Sequence, residues 1–473
     1  MKYFCNVRVI TLVTILLFLF TFVAMTLKPA PAASGAQSVQ SYVLTTAGEW
    51  GDEQNAAVSA AGGVVTFSNR DSGIATATSD SADFLDRVLA SNKIGGAVDQ
   101  VVEWQLPTQT VELDETAVTP GNETFINAQW NIKAIEAPAA WNAGFDGAGV
   151  RVAVIDGGIH SAHQDLDGNI DVAASRSFVP GFAFNQDVGT FWHGTHVAGI
   201  IAAEDNSLGT IGVAPKATII GVKALHNGSG SFGAVISAIL YASTPRSEGG
   251  AGADIINMSL GAVFPRGGGN TGAGQLVAAL NKAVNFAGKN TLVVSAAGNN
   301  ALDLDHSGSF ISVPAQSGSG IAVSATAPVG YAVGYPNGGA NFRRPASYTN
   351  FGNSAIWVAA PGGDSVFTPT TQVCSIPAVP AGSISAPCFV FDFVLSTARG
   401  AAASTTSYAF ASGTSMAAPA ASGVAALIKQ RFPNISVGEL KNRLAQSADD
   451  EGKNGHDPFY GRGFVNARRA VTE

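Results

Sequence analysis

Three polar residues stand where the packing of their neighbours does not call for them. Asp156 ends the apolar run Arg151-Val152-Ala153-Val154-Ile155. His193 opens His193-Gly194-Thr195-His196-Val197-Ala198-Gly199, whose small residues suit close backbone packing. Ser415 lies in Ser412-Gly413-Thr414-Ser415-Met416-Ala417-Ala418-Pro419, ahead of an apolar helical stretch that runs to Ile428. A helix beginning at that hydroxyl sets it in the positive field of the N-terminus, beside unpaired N–H groups. Such a place suits a nucleophile and the oxyanion that its attack creates. Each residue also has a plainer reading. Asp156 can be a loop carboxylate, and His193 and Ser415 can be helix caps. Met in one cleft, the three have a definite chemistry. The serine attacks a carbonyl, the histidine takes its proton and later returns it, and the aspartate orients the imidazole.

The surrounding elements must bring them together. From Val150 onwards, apolar strands recur at 151–155, 217–222, 255–258, 291–295 and 321–325. Helical patterns lie between them at 193–203, 232–243 and 273–288. Continuous apolar strands spaced by helices predict an α/β fold, a parallel sheet with helices on both faces. Ligands in such folds sit outside the carboxyl ends of the strands. The 473 residues are 46% hydrophobic and 13% charged with 55 glycines, which suits tight burial of small residues. A net charge of -8 without a basic run argues against nucleic acid as a partner. No organic cofactor motif is evident.

Ahead of the sheet lies a smaller unit. Strands at 41–45, 64–68, 74–78 and 97–104, with helices at 52–61 and after Ser81, read as βαββαβ, a ferredoxin-like order. Gly95-Gly96 reads as the end of the second helix. The stretch 106–124 is rich in Pro, Thr, Glu and Asn and reads as a linker open to cutting. The chain starts with a basic end, an uncharged run from Val9 to Leu27, and Ala30-Pro31-Ala32 as an exit, the layout of a secretory signal over 1–32. The run is also long enough to stay in a bilayer as an anchor, the one membrane contact expected. Export places Cys374 and Cys388 where a disulfide forms, two buried thiols being the alternative.

Four motifs carry a family resemblance: Val154-Ile155-Asp156-Gly157-Gly158-Ile159, His193 to Gly199, Ala296-Ala297-Gly298-Asn299, and Gly413 to Pro419. The chain resembles the subtilases, subtilisin-like serine proteases, over about 125–473, and 33–105 resembles their inhibitory propeptide. Asp…His…Ser is the subtilisin order, and Gly413-Thr414-Ser415-Met416-Ala417 is not the GxSxG elbow of esterases. Gly157 departs from the family, which carries Thr or Ser there, so a local hydroxyl hydrogen bond is lost. The resemblance implies a secreted, autoprocessed, monomeric serine endopeptidase of broad specificity, with polypeptide substrates and its own propeptide as partners.

It also implies roles. Asn299 would donate to the oxyanion beside the N–H of Ser415, a turn asparagine being the alternative. Gly228-Ser229-Gly230 and Ser259-Leu260-Gly261 would sandwich an extended peptide, and Gln105 to Thr110 could lie between them. Ser312 would lie near the first specificity pocket. Calcium would take oxygens from Asp165, Glu204, Asn206, Leu208 and Thr210, with Gln129 or Asn127 as a further ligand, against a plain solvated loop. The segment 363–405 is longer than the family's and either edges the cleft or carries a hairpin.

Overall fold

The computed structural model describes residues 38–104, 109–112, 124–186, 193–265, 272–336, 341–369, 371–399 and 406–473. The signal stretch 1–32, Trp192 and most of the linker fall outside them.

The first unit is the expected βαββαβ: β1 (Gln40–Thr46), α1 (Asp52–Ala60), β2 (Gly63–Asn69), β3 (Ile74–Ser79), α2 (Phe84–Leu89) and β4 (Ile94–Val98). Its sheet has the order β2-β3-β1-β4. Alternation along β1 explains how it is used. Tyr42 and Leu44 face the unit's own helices with Trp50, Val58 and Phe84. Val43, with Ile74 and Ala97, joins a core of the larger domain instead. The reading of 97–104 as one strand is corrected, as is that of Gly95-Gly96 as a helix end. Both glycines lie inside β4, and a Cβ on Gly96 would come within 2.6 Å of Leu44 and of the Val43 carbonyl. They are glycines because two strands approach closely. The chain breaks at Asp99, whose carboxylate accepts the Gly233 N–H, and resumes as β5 (Val101–Glu103). After four residues outside the description comes β6 (Gln109–Glu112).

The large domain follows with α3 (Trp130–Ala134), α4 (Ala137–Asn142), β7 (Arg151–Asp156), β8 (Arg176–Ser177), α5 (His193–Ala202), β9 (Thr218–Lys223), β10 (Ser229–Ser231) and α6 (Phe232–Ser243). Next are β11 (Ile255–Met258), β12 (Ala262–Pro265), α7 (Gly272–Ala287), β13 (Leu292–Ala296), β14 (Phe310–Val313), β15 (Ile321–Ala327), β16 (Arg344–Pro345) and β17 (Ile356–Pro361). Then come β18 (Val373–Pro377), β19 (Ser383–Pro387), β20 (Val394–Arg399), β21 (Thr406–Ser412), α8 (Thr414–Arg431), α9 (Val437–Gln446) and α10 (Ala467–Thr472).

The main sheet runs β15-β13-β11-β7-β9-β8, with β17 parallel and β16 antiparallel on β15. Its strands read as unbroken apolar runs because each serves two cores. In β7, Val152 and Val154 pack with α5 and α8, while Ala153 and Ile155 pack with α6 and α7. That is the physical meaning of helices on both faces.

The long segment 363–405 carries a hairpin. β18 pairs antiparallel with β19, and Cys374 and Cys388 are disulfide-bonded with Cα atoms 4.8 Å apart. The hairpin holds the start of the large domain: Val379 N–H donates to the Thr124 carbonyl at 3.0 Å and Asn127 Nδ2 to that of Pro377 at 3.1 Å. Beyond it, Asp392 is fully buried and accepts the N–H groups of Gly330 and Tyr331 and the hydroxyl of Thr368. Burial raises its pKa to about 6.

Candidate active site

Asp156 is the last residue of β7 and His193 the first of α5, and both are buried. His193 Nδ1 lies 2.8 Å from Asp156 Oδ2 and 3.0 Å from Oδ1. An ionised carboxylate only accepts, so Nδ1 carries the proton and Nε2 is left as the basic nitrogen. Oδ1 also accepts the Gly157 N–H at 2.7 Å, a bond that does not need the missing hydroxyl. Close approach of α5 to β7 requires Gly194, where a Cβ would lie 2.3 Å from the Gly158 carbonyl. Behind the aspartate, the buried Lys223 donates to the carbonyls of Gly157 and Leu225, bracing the turn that follows β7.

Ser415 is the second residue of α8, so its N–H belongs to the first turn, which has no partner within the helix. Its hydroxyl donates to the Ser259 carbonyl at 3.0 Å, and Ser259 Oγ donates back to the Ser415 carbonyl at 2.8 Å. Asn299 Oδ1 accepts the Thr414 N–H at 2.9 Å and the Thr414 hydroxyl at 2.8 Å. That fixes the amide: Nδ2 is its donor end.

Two asparagines that hold this arrangement escape the sequence reading. Asn257 donates to Ser259 Oγ at 3.0 Å and accepts from Ser422 at 2.9 Å, tying the centre of α8 to β11. Its signal is a polar residue inside Ile255-Ile256-Asn257-Met258. Asn350 accepts from the N–H groups of Asn300 and Leu302 and donates to the Ala297 carbonyl, which fixes the loop that carries Asn299. Nothing in its local sequence marks it.

His196, one turn after His193, is fully buried with Nε2 at 2.9 Å from the Ala409 carbonyl. Burial lowers its pKa to about 3. It is neutral in the fold and charged in the unfolded chain below about pH 6.5. The unfolded state then binds more protons, so stability falls as pH drops from about 6.5 towards 3, by roughly 1.4 kcal/mol per unit. Denaturant midpoints from pH 7 to 4 should fall accordingly, and His196→Gln should flatten that slope by about one proton. An unchanged slope in the variant would rule out His196 as its source.

Of the two segments expected to sandwich a peptide, Gly228-Ser229-Gly230 is engaged by the chain itself. β5 pairs antiparallel with β10, Glu103 opposite Ser229, and Trp104 N–H donates to the Gly228 carbonyl at 2.9 Å. Trp104 is fully buried, its indole N–H donating to the Gly230 carbonyl at 3.1 Å and its ring edge-on to Phe232. Ser259-Leu260-Gly261 lies beside Ser415 through Ser259 but takes no part in that two-stranded sheet. Gln109 and Thr110 are not in this groove. They begin β6, which pairs antiparallel with β21, and this corrects the reading of 105–110 as one groove-lying tail. Ser312 is buried in β14, paired with Val263 of β12.

The oxygens of the loop 204–210 are of the type that suits a hard cation. Asp165 is fully buried, its Oδ2 accepting the N–H and hydroxyl of Thr210, both at 3.0 Å. Asn206 Oδ1 accepts the Leu208 N–H at 3.0 Å, and Glu204 N–H donates to the Asp165 carbonyl at 2.9 Å. Gln129 reaches the end of the loop, but its amide is spent on both backbone groups of Ile211. Asn127 is turned to Pro377. Among the described residues, no cluster of three or more His, Cys, Asp or Glu side chains could hold a metal, so any ion here would rest mainly on carbonyls.

A carboxylate–imidazole pair joining β7 to α5, and a serine in the first turn of α8, which packs against α5, are the groups that a serine hydrolase uses. The comparisons narrow the class. The subtilase family profile, Peptidase_S8, matches residues 147–463. The chain is 36% identical over 349 residues to subtilisin Savinase of Lederbergia lenta, covering 72% of this chain and 98% of that one. It is 31% identical over 347 residues to subtilisin E of Bacillus subtilis strain 168, covering 72% and 71%. Among solved structures, a protease from Pseudoalteromonas arctica superposes with a TM-score of 0.55 at 29% identity, over 75% of this chain and 99% of that one. The chain belongs to the subtilase family and is a subtilisin-like serine endopeptidase acting on polypeptides.

Proposed function

We propose that this endopeptidase works through Asp156, His193 and Ser415 and is made as a secreted, self-cutting precursor. The Asp156–His193 pair carries the first part of the reading. His193 Nε2 takes the proton as Ser415 Oγ attacks the carbonyl, and Asp156 stabilises the imidazolium. Asn299 Nδ2 and the Ser415 N–H donate to the oxyanion; losing one such donor costs about 10²–10³ in rate, a figure established for a subtilisin. The imidazolium protonates the leaving amine, and water, activated by the same base, releases the acyl group. Backbone pairing on Gly228-Ser229-Gly230, with Ser259-Leu260-Gly261 opposite and Ser312 near the first pocket, reads little side-chain identity and gives broad specificity. Casein hydrolysis should stop when one equivalent of an organophosphonate has bound. Hydrolysis that survives full labelling of Ser415 would end this reading.

Self-cutting is supported by the path of the chain. It enters along β10 and leaves along β21, whose last residue, Ser412, lies three residues before Ser415. From Trp104 to Gln109 the chain spans at most about 18 Å. In this reading the first cut falls between these two residues. In this reading 1–32 is a cleaved signal, 33–105 the inhibitory propeptide, 106–124 a linker removed in processing, and 125–473 a monomeric enzyme outside the cell. Among the described residues no helix is long and apolar enough to cross a membrane.

Calcium is the proposed structural ion, held by Asp165, Asn206 and the carbonyls of Glu204, Leu208 and Thr210. A ligand that binds only the folded state stabilises it by about 2.7 kcal/mol at a hundredfold excess over Kd. Excess EDTA should lower Tm by several degrees and added calcium restore it. A Tm that ignores both would remove calcium from the description.

A further inference from the structure

The backbone leaves its ordinary regions at Ala301, two residues beyond Asn299. Its φ is 51°, in the left-handed region that a residue with a Cβ rarely adopts. Such a conformation lasts only where its surroundings over-determine it. Here Tyr348 and Asn350 do so. Ala301 N–H donates to the Tyr348 carbonyl at 2.7 Å. Asn350 is fully buried, and its Oδ1 accepts the N–H groups of Asn300 and Leu302, both at 3.0 Å, one on each side of Ala301. Its Nδ2 donates to the Ala297 carbonyl at 2.9 Å, and its own N–H to that of Gly298 at 2.9 Å. One residue thus brackets Asn299, with two bonds before it and two after. Asn350 is held in turn by its neighbours. Phe351 N–H donates to the Leu302 carbonyl at 2.9 Å, Gly352 N–H to that of Pro458 at 2.8 Å, and the Phe351 ring stacks on Phe459 with centroids 4.6 Å apart.

We propose that Asn350 is a positioning residue for the reaction, one that sets the aim of the Asn299 amide at the developing oxyanion. The proposal rests on the oxyanion role given to Asn299 above and says what keeps that donor in place. Being fully buried, Asn350 cannot touch a substrate. Asn299 is gripped twice, its amide oxygen by Thr414 and its backbone by Asn350, and the direction of Nδ2 follows from both. A side chain at 350 without an amide leaves the N–H groups of Asn300 and Leu302 without their acceptor. Ala301 then relaxes to negative φ, and the turn rotates with Asn299 attached. A donor stabilises charge only where it already points. The transition state, whose oxygen carries that charge, loses more than the bound substrate does. The loss therefore falls on kcat and spares KM.

The test is a double-mutant cycle on processed enzyme with a chromogenic peptide anilide. Each rate is divided by the sites titrated with the organophosphonate, so unfolded molecules do not count. Asn350→Ala is expected to lower kcat about tenfold or more with KM nearly unchanged, since about 1 Å of misplacement costs up to about 10²-fold. In an Asn299→Ala background the same change should cost less than about twofold. Equal losses in both backgrounds, or a loss confined to KM, overturn the proposal. Where Asn350→Ala gives no titratable sites, Ala301→Val decides. That residue is exposed, the variant keeps Asn350, and a β-branched side chain strains the same left-handed position. Its loss of kcat should also vanish without Asn299, and a loss that persists there, or native kcat, overturns the proposal. Asn299→Ala with native kcat overturns the oxyanion role itself and this proposal with it.

Discussion

Ser415→Ala yields a chain that folds, stays uncut between Trp104 and Gln109, and hydrolyses casein about 10⁶-fold more slowly than the native enzyme. The side chain lost makes one hydrogen bond, to the Ser259 carbonyl, so the structural cost is about 1 kcal/mol. The catalytic cost is far larger, because the nucleophile and its base act as a unit and either alone is idle. Mass spectrometry of the purified variant reads the precursor directly, and a casein assay reads the rate. A Ser415→Ala protein that still trims itself, or digests casein at a tenth of the native rate, would remove Ser415 from the mechanism.

Removing the N-terminal unit is expected to be nearly as severe. The main sheet joins strands far apart in sequence, such as Val152 with Ile219 and with Ile255. Such sheets close long loops before contacts repay the entropy, and they fold slowly. The unit lies against the two helices that cover one face of that sheet. Val43, Ile74 and Ala97 share a core with α6 and α7, Asp99 accepts the Gly233 N–H in the first turn of α6, and Lys282 of α7 donates to the carbonyls of Thr46 and Gly73. Denatured 125–473 should therefore recover at least tenfold less activity alone than with the peptide 38–110 added in trans, and the same peptide should inhibit the finished enzyme. Equal recovery in both tubes without inhibition would show that the unit neither guides folding nor blocks the cleft.

What the sequence revealed depended on the range of the interactions involved. β7, β9, β11, β13 and β15 were legible because burial on both faces makes every residue apolar, a local signal. Asp156, His193 and Ser415 were legible because each interrupts or opens such a run. Asn350 was not, since its partners lie some fifty residues away and only the folded loop shows what it holds. Gly95-Gly96 misled because a glycine pair signals a helix end and a close strand approach equally well. The tail 105–110 was misplaced at Gln109 and Thr110, and what pairs with Gly228-Ser229-Gly230 is β5, read in the sequence as the end of the strand 97–104. Pairing with Gly228-Ser229-Gly230 follows from small residues that admit a strand, whereas β6 turns to β21, an edge that no local pattern announces.

The seating of Trp104 has an optical consequence. Six tryptophans are present, and this one is fully buried against Phe232 while belonging, in the proposed maturation, to the segment released. When that segment departs, the indole passes from an apolar wall into water, and its emission moves to longer wavelength. Maturation thus writes its own fluorescence trace, and a stopped cuvette is enough to time the moment at which the zymogen opens.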